Sequence, residues 1–379
     1  MKIMHLSDLH LGKKLNGFSM VEEQKYIHNQ ILQIAQREKV EAVIIAGDIF
    51  DKANPSASAV QLFDDFLTSW AELNLPIFLI SGNHDSAERI SFGARLFKSN
   101  NVYISPVYSG KIVPISLQDI WGSINFYLLP FIKPATVRTF FPEEEINSYN
   151  ETVKIALKDL KIDKSQRNIL VAHQFVTGAK CCDSEEIIVG GVDNIDVDLF
   201  GDFDYVALGH IHTPQIVKKD TVRYCGTPLK YSFSEANQQK SVTIIDFKAK
   251  NQMEITLHEL TPRRDLRKLK GTYSELTLKE NYLNTNTDDY VAITLTDELE
   301  IPEAISKLRV IYPNIMQLDY DNARTRSNNQ LKIDDADVNQ KKMPLELFDE
   351  FYQLQNNQKL NQNQRQLLKQ LIGDIWEGE

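Results

Sequence analysis

Short apolar runs that stop on polar, chemistry-bearing residues recur along the chain. Residues 2–7 run into Asp8, and residues 41–46 run into Gly47 and Asp48. Residues 76–81 deliver Gly82, Asn83 and His84, residues 168–172 deliver His173, and residues 205–208 deliver Gly209 and His210. Apolar runs of this length, bounded by turn residues, predict buried β-strands. Between the first two, Ile27, Ile31, Ile34 and Ala35 recur at helical spacing, as a crossover helix between parallel strands requires. Ligands of open α/β sheets bind beyond the carboxyl ends of the strands, so these strand ends are expected to meet at one site.

Past Phe247 the pattern changes. Residues 256–261 lead into a basic stretch, residues 290–295 alternate like a strand, Pro302 opens a helix to residue 308, and residues 315–320 read as another strand. Together these form a compact two-layer module. Residues 326–342 are polar without hydrophobic period and read as a linker. A helix then begins at Pro344 with Leu347, Phe351 and Leu354 along one side, and a last segment carries Leu367, Leu368, Leu371, Ile372, Ile375 and Trp376. Apolar faces this far from the main core need a surface to bury them, supplied either by the chain's own second module or by a partner helix. The expected divisions are 1–260, 261–325, 326–342 and 343–379.

Composition narrows the class without naming it. With 42% hydrophobic and 25% charged residues among 379, the chain is an ordinary globular protein with room for a sizeable core. It lacks a stretch of about 18 apolar residues, and Met1 opens directly onto the first strand, so neither a membrane span nor a signal peptide is expected and the location should be cytoplasmic. The three cysteines, Cys181, Cys182 and Cys225, have no metal-binding spacing and are expected to be reduced. A net charge of −10 excludes nucleic-acid binding by a globally basic surface. Local basic positions remain: Lys13, Lys14 and Arg89 lie beside the strand-end motifs, Arg263, Arg264, Arg267, Lys268 and Lys270 form the densest cluster, and Lys230 with Tyr231 is a further candidate for approaching substrate. No Gly-x-x-x-x-Gly-Lys-Ser/Thr motif occurs, so the chain is not expected to hydrolyse ATP itself.

The strand ends carry Asp8-Leu9-His10, Gly47-Asp48-Ile49-Phe50-Asp51, Gly82-Asn83-His84-Asp85, His173 and Gly209-His210-Ile211-His212. Each has a plain alternative. Asp-x-His and Gly-Asn-His-Asp are ordinary turn sequences, and a single histidine says little. The pair His210 and His212 is stronger, because alternate residues of an extended segment point the same way. Taken in order, the set reads as a two-metal phosphoesterase site, where two divalent ions about 3.5–4 Å apart need nitrogen and oxygen ligands from several segments and a carboxylate that touches both.

In order and spacing these motifs resemble the calcineurin-like metallophosphoesterase superfamily. The text around them, residues 46–56, 82–90, 203–215 and 224–234, resembles more narrowly the SbcD family of nuclease subunits. The resemblance implies a four-layer αββα sandwich of α/β class, with a small α+β capping domain at 261–325 and C-terminal helices. It implies that Asp8, His10 and His212 hold one ion, that Asn83, His173 and His210 hold the other, and that Asp48 bridges them. Asn83 offers a neutral carbonyl oxygen that limits the negative charge around the ions, and the oxygen and imidazole set suits manganese or iron. The implied reaction is in-line hydrolysis of a phosphodiester. His84 would stabilise the transition state or protonate the leaving oxygen, with Asp85 orienting it, or else serve only as a hydrogen bonder behind the ligands. Asp51 would fix a loop or a ligand histidine.

The same resemblance implies manganese as cofactor and a 3′→5′ exonuclease with endonuclease activity on duplex ends and hairpins. It further implies an SbcC-like ATPase of the SMC family as partner, a capping domain over the site, and a homodimer of nuclease subunits within a heterotetramer. The metal motifs alone also admit a phosphoesterase for a cyclic nucleotide or a phosphoprotein. A third alternative is a scaffold that tethers DNA ends without cleaving them.

Overall fold

Strands buried on both faces read as near-continuous apolar runs, and that is how the chain builds its centre. The computed structural model describes residues 1–179, 194–325, 344–356 and 358–376. After β1 (Lys2–Leu6), a short hairpin of β2 (Lys14–Leu15) and β3 (Phe18–Ser19) leads into α1 (Val21–Glu38). Then come β4 (Ala42–Ala46), α2 (Ala57–Ala71), β5 (Ile77–Ile80), two short helices α3 (Ala87–Ile90) and α4 (Ala94–Phe97), and β6 (Val102–Ile104). The second half holds β7 (Ile115–Asp119), β8 (Gly122–Leu129), α5 (Pro134–Arg138), α6 (Tyr149–Lys158), β9 (Arg167–His173) and β10 (Tyr205–Gly209). It closes with β11 (Gln215–Val217), β12 (Lys219–Tyr224), β13 (Ser241–Phe247) and β14 (Met253–Glu259).

These strands form two six-stranded sheets, ordered β14-β13-β1-β4-β5-β6 and β11-β12-β10-β9-β8-β7. Strands β1, β4, β5 and β6 pair in parallel, as do β8, β9, β10 and β12. The sheets face each other across a buried layer in which Ile3, Ile44, Phe78 and Ile80 meet Phe126, Ile169, Val171 and Ala207. Phe78 stacks on Phe126 at 3.8 Å between ring centroids, joining the two sheets. On the outer side of the first sheet, α1 and α2 bury Ile27, Ile31, Ile34, Leu62, Phe66 and Trp70. On the outer side of the second, α5 and α6 supply Val137, Val153 and Ile155 to a separate core. The layers are therefore helix, sheet, sheet, helix.

The expected strands and the α1 stripe fall where the periodicity puts them. The outer strands were not marked in the sequence. Edge strands β7 and β14 each expose one face and alternate apolar with polar residues, Ile115 and Leu117 against Ser116 and Gln118, and Met253, Ile255 and Leu257 against Glu254, Thr256 and His258.

The chain divides into two units, Met1–Asp265 and Leu266–Glu379. In the second, β15 (Leu266–Gly271), β16 (Tyr290–Leu295) and β17 (Ile315–Tyr320) form a three-stranded parallel sheet. Helices α7 (Tyr273–Thr277), α8 (Lys279–Tyr282) and α9 (Ala304–Leu308) connect them around a core of Leu276, Val291, Ile293, Leu295, Leu308 and Ile315. The helix expected from Pro302 begins at Ala304, since Glu303 ahead of it adopts a left-handed conformation with φ 55°. The basic stretch at 263–270 includes β15 itself. Two C-terminal helices span Pro344–Asn356 and Gln362–Trp376, with Phe348, Phe351, Leu367 and Leu371 exposed. The linker expected at 326–342 and the Cys181–Cys182 pair lie outside the described residues, as do the side chains of Leu347, Leu354, Ile375 and Trp376. Cys225 is a buried free thiol. Among the described residues no helix is long and apolar enough to cross a membrane.

Candidate metal centre

Two parallel strands place the first acids. Beyond β1 and β4 the chain continues as a zipped pair of loops, with Asp8 N–H donating to the Gly47 carbonyl at 3.0 Å, His10 N–H to Asp48 at 3.0 Å and Leu11 N–H to Ile49 at 2.9 Å. This pairing is made with left-handed backbone: φ is 52° at Asp8, 44° at His10 and 50° at Asp48, and 102° at His210. Non-glycine residues adopt such conformations at a cost of about 1–3 kcal/mol each, and they cluster where function over-determines the backbone.

Close approach of the two sheets completes the site. A Cβ on Gly209 would sit 1.9 Å from the Ala46 carbonyl oxygen, and one on Gly82 would sit 2.1 Å from Asp48 Oδ1. Only glycine lets β10 of the second sheet come this near β4 of the first, and lets the loops after the neighbouring strands β4 and β5 do the same. Phe131 N–H donates to the Ser81 carbonyl at 2.9 Å and ties the end of β8 to the end of β5.

The side chains expected as ligands converge, all of them buried except the half-buried Asn83. Asp8, His10 and His212 bring ligand atoms within 4.8 Å of one another, as do Asp8, Asp48 and His173. Asn83 Oδ1 lies 2.9 Å from His173 Nε2 and 3.0 Å from His210 Nδ1. Asp48 Oδ2 is 3.4 Å from His173 Nε2 and 3.7 Å from His10 Nε2, so it lies between the two groups. Ser7 donates to Asp8, whose carboxylate also accepts from His210 N–H at 3.0 Å.

The donor set fits a divalent cation on physical grounds. His173 Nδ1 donates to the Ala46 carbonyl at 2.8 Å, which leaves Nε2 with a lone pair directed at Asn83 Oδ1 and Asp48. His10 Nε2 likewise faces His212 Nε2 at 3.1 Å. Imidazole nitrogens, an amide oxygen and two carboxylates crowded this closely in a buried site form a nitrogen and oxygen donor set that suits a divalent cation.

The titration shifts show how strongly these buried groups act on one another. Burial opposes the charge on His173, yet Asp48, Asp8 and the Ala46 carbonyl outweigh it and push the ring up to about 9. Burial holds His210 down to about 3, with His173 adding to the effect, and keeps His10 well below its ordinary value. Burial, reinforced by Asp48, raises Asp8 to about 6. For Asp48 burial is overcome by His173, His10 and His84, which hold its carboxyl well below the usual range.

His84 is half-buried, its ring 4.9 Å from that of His10 and at right angles to it. Its backbone N–H donates to Asp48 Oδ1 at 2.9 Å, and its Nδ1 donates to the Asp51 carbonyl at 3.1 Å. The expectation that Asp85 orients His84 is corrected here. Asp85 instead accepts from the N–H groups of Ile49, Phe50 and Gly82 at 3.1, 2.9 and 2.9 Å, and so fixes the loop that carries Asp48. Burial raises Asp85 to about 6, with Asp48 adding to it against these hydrogen bonds.

The basic candidates are mostly engaged within the protein. Lys13 pairs with Asp51 at 2.7 Å. Arg89 donates to the Ala53 carbonyl at 2.9 Å and to Asn54 Oδ1 at 2.6 Å, holding the turn before α2. Lys14 is exposed on β2. Of the denser cluster, Arg264 pairs with Glu23, Arg267 with Asp289 and Lys270 with Asp321, at 2.9, 2.8 and 2.6 Å. Lys230 and Tyr231, expected near substrate, are buried. Lys230 pairs with Asp265 at 2.7 Å and Tyr231 donates to the Leu9 carbonyl at 2.7 Å.

A supporting residue on α1 went unread in the sequence. Gln24 donates to the His10 carbonyl at 2.7 Å and to Tyr231 Oη at 3.0 Å, and accepts from Gly12 N–H at 3.0 Å. Its signal was present, since position 24 extends the buried stripe of Ile27, Ile31 and Ile34 by one turn.

The chain is similar to several known proteins. The sequence profile of the calcineurin-like phosphoesterases matches residues 1–214. A second profile, described as a type 5 capsule protein repressor C-terminal domain, matches residues 262–356. A curated relative, the SbcD subunit of the SbcCD nuclease of Staphylococcus epidermidis (strain ATCC 12228 / FDA PCI 1200), is 33% identical over 386 residues, covering 100% of both chains. Among solved structures, a protein of Thermus thermophilus is 11% identical with a TM-score of 0.39, covering 68% of this chain and 98% of its own. A dimetal phosphatase from Danio rerio is 10% identical with a TM-score of 0.41, covering 69% and 98%.

Proposed function

From the premise that the chain belongs to the calcineurin-like phosphoesterases, and within them to the SbcD nuclease subunits, we propose the following reading of its site and substrates. The chain is a divalent-metal hydrolase of phosphodiesters. It acts as a double-strand 3′→5′ exonuclease and a single-strand or hairpin endonuclease, with manganese as its ion and with ATP used by an SbcC-like partner. Residues 1–260 carry the chemistry, residues 261–325 form the cap, and the helices after 343 dock on the partner. Two nuclease subunits sit in a heterotetramer.

Asp8, His10 and His212 hold one ion and Asn83, His173 and His210 the other, with Asp48 shared. When bound, the ions supply Lewis acidity that makes water more acidic and neutralises charge on the phosphoryl and leaving oxygens. The protein's part is positional. Asp85 fixes the loop of Asp48 through three backbone N–H groups. His84, held through Nδ1 by the Asp51 carbonyl, keeps Nε2 for proton transfer to the leaving oxygen or for charge stabilisation. Of the predicted DNA contacts, Lys14 and Arg89 are exposed. Lys13 and Arg89 would have to leave their present partners to touch phosphate.

One observation favours a nuclease over a small-substrate phosphoesterase. The likeness to the SbcCD nuclease component runs through the whole of both chains, including the part beyond the hydrolase body. The test is an assay under manganese, with and without the ATPase partner, on blocked linear duplex, hairpin DNA and a cyclic nucleotide. Cleavage of the two DNA substrates, stimulated by partner and ATP, is expected; hydrolysis of the cyclic nucleotide alone would favour the small-substrate reading.

A further inference from the structure

Behind His212 lies a pair of buried charges that none of the metal-centre motifs contains. Glu235 and Lys240 are 0% and 3% exposed, and Lys240 Nζ sits 2.5 Å from Glu235 Oε2. Burying two charges costs desolvation that their attraction seldom returns in full, so the surroundings show what such a pair does. Here they point to His212. Lys240 Nζ donates to the His212 carbonyl at 2.8 Å and to Gln238 Oε1 at 3.0 Å, so its three protons are spoken for. Thr227 N–H donates to the same carbonyl at 3.1 Å. Glu235 Oε1 accepts from Tyr231 N–H at 3.3 Å and lies 3.8 Å from His212 Nδ1. The His212 ring therefore has a carboxylate on its Nδ1 side and the metal centre on its Nε2 side, where His10 Nε2 is 3.1 Å away.

We infer that Glu235, neutralised by Lys240, is a positioning residue for His212. It keeps the proton on Nδ1 and the ring turned so that the Nε2 lone pair faces the first ion, while Lys240 anchors the backbone of the same residue. A carboxylate on the far nitrogen fixes the tautomer of a ligand histidine and raises its basicity, and losing such a partner typically weakens metal binding about 10–100-fold. The inference rests on the two-ion reading of the site. It adds that one ion depends on residues 235 and 240, which touch neither ion.

The test is manganese titration of the metal-free full-length protein, followed by paramagnetic resonance of free and bound Mn2+, with the fold monitored by circular dichroism. Wild type should take up two ions; uptake of fewer would sink the two-ion reading itself. Glu235→Gln should weaken one step about 10–100-fold, the same step that His10→Ala abolishes, and leave the other unchanged. Because Glu235→Gln leaves Lys240 buried without its counter-charge, the double variant Glu235→Gln/Lys240→Gln removes both charges and should show the same selective loss. Asp119→Asn, which breaks the Arg167–Asp119 pair away from the site, should leave both steps unchanged. Tight uptake of two ions by both Glu235 variants, equal weakening of both steps, or failure of both variants to fold would each overturn the positioning role.

Discussion

At His84 the backbone and the side chain have different duties. The N–H clamps Asp48, while the ring is steered by a carbonyl from the neighbouring loop. Replacing the ring alone should therefore spare the clamp. His84→Ala is expected to bind two ions as wild type does, measured by metal analysis, and to cleave hairpin DNA about 10²–10⁴-fold more slowly; unchanged cleavage would remove His84 from the chemistry. The motif made His84 legible but misassigned its partner. A residue type advertises side-chain chemistry, whereas the Asp51 carbonyl that orients His84 has no signature in sequence. The same holds for Asp85, whose carboxylate is spent on three backbone donors that any residue could provide. Glu235 and Lys240 were invisible for a related reason, since nothing in a charged residue's neighbours says that it is buried.

Among the elements, the strands that deliver the site were readable because both faces are buried and the runs are apolar throughout. Edge strands β7 and β14 went unread although their residues alternate, because only one face of each is apolar and neither makes a continuous apolar run. Helix α1 illustrates what an apolar stripe conceals. His28 lies on its buried face, its ring centroid 4.5 Å from that of Phe66 of α2 and tilted 52° to it, with little room for a charge. Burial lowers His28 to about 3 in the folded chain, from an ordinary value near 6.5. Between those values the unfolded chain binds the proton and the folded chain does not. Stability is therefore lost as pH falls from 6.5 towards 3, by about 1 kcal/mol per pH unit for one such ring. Denaturant unfolding at pH 7 and pH 5 should show a smaller acid loss in His28→Leu than in wild type; an equal loss would mean that α1 and α2 accommodate the imidazolium.

For the whole molecule, hydrolysis and control are proposed to reside in different units. The site residues all lie within Met1–Asp265. The C-terminal helices expose Phe348, Phe351, Leu367 and Leu371, an apolar surface that a partner helix would cover. A chain ending at residue 325 is expected to keep metal-dependent hydrolysis of a small phosphodiester and to lose co-purification with the ATPase partner; retained co-purification would move the docking surface elsewhere.

All of this depends on two ions sharing Asp48. The most direct measurement is metal stoichiometry by native mass spectrometry on wild type and Asp48→Ala loaded with manganese. Two ions in the wild type and none retained in the variant is the predicted result. A variant that still carries two ions would contradict the shared carboxylate and the site built around it.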